Sequence, residues 1–168
     1  MVQNFKMKKK RRNFRKSGTF LKAVTNLIIL SIIIIAVSAY FVFKDKPIGP
    51  IFLLLGFANL IFLKITKVKL KHLYPDFVFG FVDNGILVFA LIIGGKFGGL
   101  PGAIIGGVKG NTITDSIGGL FEGYVSEKLT KGDFEKKRTA LSSSLGKMTG
   151  CLFGAGIVLT IIWLISLI

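Results

Sequence analysis

Long uncharged runs constrain this chain more than any other feature of its sequence. The first covers residues 23–43 and the last covers residues 148–168, and each holds 21 residues without a charged side chain. At about 1.5 Å per residue, a helix of that length crosses a hydrocarbon core about 30 Å thick. Lipid offers the backbone no hydrogen bonds, so such runs fold as helices. The sequence therefore predicts an all-α membrane protein.

Three further apolar segments lie between these two runs, at residues 47–63, 76–95 and 100–125. They bring the expected number of transmembrane helices to five. The first two segments of the five are bulky and nearly free of polar groups, whereas the last three hold most of the 21 glycines and all the embedded charge. We therefore expect three parts: a polybasic cytoplasmic tail at 1–22, an N-terminal transmembrane hairpin at 23–73 and a Gly-rich three-helix core at 74–168.

The positive charge supports this topology. The chain has 23 Lys+Arg against 8 Asp+Glu, a formal net charge of +15. Nineteen of the cations lie before the first segment, in the connection between segments two and three, or in the connection between segments four and five. Three lie in the other two connections, and Lys109 lies within the fourth segment. Cytoplasmic connections carry such an excess. We expect a plasma-membrane protein with a cytoplasmic N-terminus, whose tail meets anionic lipid and binds no nucleic acid.

Few residues of the chain are suited to catalysis. It has one cysteine, Cys151, and one histidine, His72. One cysteine excludes an internal disulfide and a zinc site built from several cysteines. No arrangement of a nucleophile and a base is visible, so we expect neither an enzyme nor a bound cofactor.

Small residues recur every four positions in the last two segments. The two stripes are Gly102, Gly106 and Gly110, and Ser142, Gly146, Gly150 and Gly154. Such a stripe lets another helix backbone approach closely, either within the chain or between two copies. A three-helix core is small for enclosing a pathway alone, so we expect a homodimer.

Acidic and polar side chains inside the predicted helices indicate a functional site. A charge at the centre of a membrane helix costs at least about 2.5–3.5 kcal/mol, so such residues face protein or water. The predicted cation site comprises Asp83, Asn84, Asn111, Thr112, Asp115, Ser116 and Glu122. Their hard oxygens suit Na⁺, Ca²⁺, Mg²⁺ or Mn²⁺ rather than soft metals. The alternative is a structural hydrogen-bond network with Lys109 as counter-ion.

Helical rise places the two aspartates at similar depth. Asp83 comes out about 9 Å and Asp115 about 8 Å from the cytoplasmic boundary of the hydrocarbon core. Residues 106–112 (GGVKGNT) are poor helix-forming sequence, and a helix broken there would present carbonyls to an ion. Residues 132–135 predict the N-terminus of a short surface helix, with Asp133 as its N-cap.

Three stretches together carry a resemblance to a known family: FGFVDNGILV at 79–88, GNTITDSIGGLFEGYVSE at 110–127 and RTALSSSLGKMTGCLFG at 138–154. Over about residues 74–168 the chain resembles the transmembrane protein 65 family. The resemblance implies a dimeric three-helix membrane unit linked to sodium-dependent calcium efflux. It also implies that Asp83, Asn84, Asn111 and Asp115 belong to the family's polar motif, whereas Glu122 lies outside it.

The residues and the resemblance together lead to one expected function. We expect a small homodimeric secondary transporter of cations that exchanges Na⁺ for Ca²⁺, of prokaryotic type. Two alternatives stay open. The same residues could form a cation channel, or the protein could be a membrane scaffold that regulates another transporter.

Overall fold

The computed structural model describes residues 27–65, 73–129 and 140–167, together with Leu21, Val24 and Thr25. Within these residues all regular structure is helical. The helices are α1 (Leu27–Phe43), α2 (Ile48–Ile65), α3 (Tyr74–Leu129) and α4 (Ala140–Ser166). The basic tail apart from Leu21, and the predicted surface helix that begins at 132–135, lie outside the described residues.

Three of these helices are long and apolar enough to cross a membrane: Ile48–Ile65, Tyr74–Gly118 and Leu141–Ser166. The apolar helix α1 is shorter than these three. The described residues therefore show a helical protein with three candidate spans rather than the expected five. The difference arises partly because predicted segments three and four join into α3 without an intervening loop.

The chain reverses direction inside α3, at Gly99. This residue has φ 59° and ψ −146°, the one non-helical conformation within α3, and glycine adopts it because it has no Cβ. The backbone oxygen of Gly94 lies directly against Gly102, and that of Ala90 against Gly106. In a straight helix Gly94 and Gly102 would be about 12 Å apart. Helix α3 is therefore a hairpin with a first arm at 74–98 and a second arm at 100–129.

Helix α4 packs parallel to the first arm of α3 through its predicted small-residue stripe. Gly146 lies against Asp76, Gly150 lies against Phe77, and Gly154 lies against the backbone of Phe81. Both residue numbers increase along this contact, so the two helices run in the same direction. The close backbone approach predicted for this stripe is confirmed, and the backbone that approaches belongs to the same chain.

Helix α2 packs antiparallel on α4. Gly49 meets Thr160 at one end of the contact, and Asn59 donates a hydrogen bond to Thr149 at the other end. The described bundle thus has the order α2, α4, first arm, second arm. Leu63, Leu73 and Leu145 are buried together where α2, α3 and α4 converge.

Candidate functional site

The first arm of α3 has two polar faces, each directed at a different helix. Asp76 and Asn84 contact α4. Phe79 and Asp83, one helical turn apart, contact the second arm. Residues four apart share a helix face, so each face follows directly from the sequence spacing.

The carboxylate of Asp83 lies between the two arms and accepts a hydrogen bond from the Thr114 hydroxyl at 2.5 Å. The same hydroxyl lies 3.1 Å from the carbonyls of Gly110 and Asn111. A hydroxyl has one proton, and hydrogen bonds to an ionised acceptor are the shorter and stronger ones. The proton therefore belongs to the bond with Asp83.

Thr114 was not among the residues predicted for the site. It is 2% exposed, and its position continues the four-residue register of the second arm. That register runs through Gly102, Gly106, Gly110, Thr114 and Gly118. A threonine in a row of glycines marks the place where the two arms exchange a hydrogen bond rather than a backbone contact, and this signal could have identified it.

Asn84 is directed at α4 rather than at the second arm. Its amide nitrogen donates to the backbone oxygen of Cys151 at 3.4 Å, and Cys151 itself is half-buried. Asn84 thus bonds the first arm to α4, whereas the preceding residue, Asp83, contacts the second arm.

Four of the predicted site residues lie on the outward face of the second arm. Asn111 donates to the Asp115 carboxylate at 2.8 Å. The hydroxyls of Thr112 and Ser116 donate to carbonyls of their own helix, at 2.8 and 2.7 Å. All four residues are exposed in the single chain. Glu122 lies within α3, and its side chain lies outside the described residues.

Residues 106–112 are helical although their sequence is poor for helix formation, so α3 has no break there. Packing explains the difference. Gly106 lies against Ala90 of the first arm, and Gly110 lies against Leu87. In proteins most helical stability comes from tertiary packing rather than propensity, and a residue with a side chain would hold these two backbones apart.

A second acidic side chain is buried more completely than Asp83 and was also missed. Asp76, in the first turn of α3, is 2% exposed. Its carboxylate accepts a hydrogen bond from Ser143 of α4 at 2.7 Å. A carboxylate near a helix N-terminus is stabilised by the positive end of the helix dipole. An acidic residue directly after Pro75, at the start of a helix, was the available signal.

Lys147 lies inside the helix bundle. The count of cations along the sequence had assigned it to the connection between the fourth and fifth segments. Helix α4 begins at Ala140, so Lys147 belongs to its second turn, and its side chain is half-buried. The ammonium lies 4.4 Å from the centroid of the Phe79 ring.

The structure thus separates the predicted site into an inner and an outer part. Asp83 is within the chain's own interface, whereas Asn111 and Asp115 form a pair on the outside. Among the described residues there is no group of three His, Cys, Asp or Glu side chains that could hold a metal ion. Within the described part of one chain, a cation would meet a single carboxylate together with hydroxyl and amide groups.

Comparisons of this chain with models of protein families, with characterised proteins and with solved structures find no match.

Proposed function

We propose that this protein is a small secondary transporter of cations in the plasma membrane, and that it works as a homodimer exchanging Na⁺ for Ca²⁺. The observation that carries the proposal is the half-buried carboxylate of Asp83, held by Thr114 between two apolar helix arms. Intramembrane carboxylates are costly and mark ion pathways. The choice of Ca²⁺ and Na⁺ rests on the resemblance to the transmembrane protein 65 family.

Five membrane crossings form part of this proposal. The first arm of α3 and α4 run parallel, so in a bilayer the chain must return between them, and the second arm provides this return. Helices α1 and α2 supply the other two crossings. The cation distribution then gives a cytoplasmic N-terminus.

The second copy is proposed from the outward polar face of the second arm. Asn111, Thr112, Asp115 and Ser116 are exposed on the second arm, most of whose other exposed side chains between 100 and 120 are apolar, with Lys109 as the exception. Lipid contact would leave the Asp115 carboxylate in hydrocarbon, at a cost of several kcal/mol. A second copy that covers this face removes that cost. It also brings further carboxylate and amide oxygens into the assembly, as a hard divalent cation requires.

Ion flux in liposomes tests the proposed function. Purified protein is reconstituted with Na⁺ inside and Ca²⁺ outside, and Ca²⁺ uptake is followed by a trapped fluorescent indicator. We expect Asp83→Asn and Asp115→Asn each to lower the Na⁺-dependent uptake rate at least tenfold. Asp45→Asn is the matched control, since Asp45 is an exposed carboxylate between α1 and α2 whose φ of 49° suits asparagine.

Each rival function predicts a different result in the same assay. Ca²⁺ uptake that follows an imposed voltage and ignores the Na⁺ gradient would identify a channel. No uptake by the parent protein would favour the scaffold. Parental uptake in both aspartate variants would refute the proposed site.

Cross-linking tests the second copy separately from the ion. In a Cys151→Ala background, Thr112→Cys introduces a thiol on the outward polar face, and Ile161→Cys introduces one on an exposed apolar position of α4. We expect oxidation in native membranes to give a disulfide-linked dimer with Thr112→Cys only. Dimer formation by Ile161→Cys alone would place the interface elsewhere.

A further inference from the structure

The exposed side of the second arm carries a regular row of side chains. Pro101, Ile105, Val108, Thr112 and Asp115 follow one another at alternating intervals of four and three residues. All five side chains are exposed in the single chain. This spacing places them on one stripe of the helix, the pattern by which two parallel helices interdigitate. We call this stripe the outer seam.

The outer seam lies opposite the contact between the two arms of α3. Gly106, Gly110 and Thr114 meet the first arm. At about 100° per residue, the mean direction of these three residues is about 180° from that of the seam. The seam therefore faces away from the rest of the described bundle.

The seam and its flank carry one charge of each sign within the expected membrane crossing. Asp115 belongs to the seam, and Lys109 lies beside it, three residues before Thr112; both charged side chains are exposed. Residues that face each other on a helix are three or four apart, whereas Lys109 and Asp115 are six apart. The two charges therefore do not form a neighbouring pair on their own helix, and lipid compensates neither of them.

We propose that a second copy of this chain packs in parallel along the outer seam, and that the partner's Lys109 compensates the charge of Asp115. Charge complementarity selects this occupant, because a copy related by a two-fold axis offers a cation where this chain offers an anion, and the reverse. Both copies have one orientation by the positive-inside rule, so each seam residue meets its own counterpart at equal depth. The inference rests on the proposed function, which includes a second copy, and it adds the register and the ion pairs.

The side chains around Asp115 are suited to this pairing. In parallel register the partner's Lys109 is offset from Asp115 by six residues, about 9 Å along the helix axis. Asn111 lies between these two depths and donates a hydrogen bond to the Asp115 carboxylate at 2.8 Å, and its side-chain oxygen can accept one from an ammonium. The flexible stem of lysine and the Asn111 amide together bridge the offset.

Lys109 also has room to turn toward a partner. It lines an open groove of about 540 Å³ between the two arms, whose other lining residues are apolar or glycine. The groove borders the outer seam at Ile105, which belongs to both. A helix packed along the seam would therefore lie beside the lysine.

Cysteine cross-linking tests the register. In a Cys151→Ala background, Ile105→Cys introduces a thiol in the seam. Ile104→Cys is the matched control, because Ile104 is the neighbouring isoleucine, is 56% exposed against 55% for Ile105, and points about 100° away. We expect oxidation in native membranes to give a disulfide-linked dimer from Ile105→Cys and little from Ile104→Cys.

A double-mutant cycle tests the ion pairs. The cross-linked fraction of Ile105→Cys is measured in liposomes of decreasing protein-to-lipid ratio, which gives the ratio at half-maximal dimer. Lys109→Met and Asp115→Asn each leave one charge without its partner and should raise that ratio at least about threefold. The double variant removes both charges and should return toward the parent, whereas Lys109→Arg keeps the cation and should stay near it. Lys96→Met, at an exposed lysine on the first arm, should have no effect.

The results that overturn the inference are distinguishable from one another. If neither Ile105→Cys nor Thr112→Cys cross-links, the second copy on this face is wrong, and the ion pairs fall with it. A dimer from Ile104→Cys alone would refute the register. If Ile105→Cys cross-links but the losses of the two single variants multiply in the double variant, only the ion pairs are refuted. Absence of Na⁺-dependent Ca²⁺ uptake would refute transport and leave both cross-linking results unchanged.

Discussion

Replacing Thr114 by valine tests whether the two arms of α3 are joined by the Asp83 carboxylate. The substitution keeps the shape of the side chain and removes one hydroxyl. Thr114 is 2% exposed, and its hydroxyl lies 2.5 Å from the Asp83 carboxylate oxygen. The carbonyls of Gly110 and Asn111 keep their places in the helix, so the loss falls mainly on Asp83.

The expected magnitude follows from the charge of the acceptor. A hydrogen bond to a charged group contributes about 1.5–3 kcal/mol, whereas bonds between membrane helices measure at most about 1.7 kcal/mol. We therefore expect Thr114→Val to lower the free energy of unfolding by about 1.5 kcal/mol, roughly a tenfold change in the unfolding equilibrium. The loss arises because the Asp83 carboxylate stays in the interface between the arms without the Thr114 hydroxyl as its hydrogen-bond donor.

The assay is unfolding of the purified protein in mixed micelles by increasing SDS, followed by circular dichroism. Thr25→Val is the matched control, because Thr25 is exposed, lies outside the outward polar face, and donates its hydroxyl hydrogen bond to the Leu21 carbonyl four residues earlier. We expect this control to change the free energy of unfolding by less than about 0.5 kcal/mol. Equal losses in the two variants would show that the bond to Asp83 does not hold the arms together.

Two further substitutions test the packing of α3 with matched controls. Gly102→Ala places a methyl group against a backbone oxygen of the first arm, whereas the methyl group of Gly98→Ala meets nothing within 4 Å. Overpacking costs about 1–3 kcal/mol, so the melting temperature should fall only for Gly102→Ala. An equal fall in both variants would contradict the hairpin contact. Ser143→Ala removes the donor to the buried Asp76 carboxylate and should cost about 1–3 kcal/mol of unfolding free energy. Ser166→Ala, at an exposed serine whose hydroxyl bonds to the Trp163 carbonyl of its own helix, should cost little in the same SDS titration. A small loss in both variants would show that Asp76 does not depend on Ser143.

Apolar length and glycine spacing predicted much of the fold. Gly146, Gly150 and Gly154 do meet another backbone, as their four-residue spacing requires. Spacing did not reveal which helix they would meet, because a small-residue face accepts any backbone of matching shape. The reversal at Gly99 lies between the predicted segments 76–95 and 100–125, and the sequence does not show that helical residues continue directly on both sides of it.

The candidate site was predicted less completely, for identifiable reasons. The predicted site included Thr112 and Ser116 but passed over Thr114, which lies in the glycine row of the second arm. A threonine in a helix ordinarily bonds its own preceding turn, so its bond to Asp83 was not expected. Asp76 follows Pro75, at the expected membrane boundary, where a charge is ordinary; its burial arises from the packing of α4. The position of Lys147 depends on α4 beginning at Ala140, whereas the uncharged run begins only at 148.

The reversal at Gly99 also constrains how the protein enters a bilayer. The two arms are joined with no intervening polar loop, so no hydrophilic segment has to be translocated on its own. The arms touch through backbone atoms from the turn onward, which leaves no room for lipid between them. They would therefore partition into the membrane together as one preformed helical pair, and the Asp83 carboxylate would travel with its Thr114 partner already beside it.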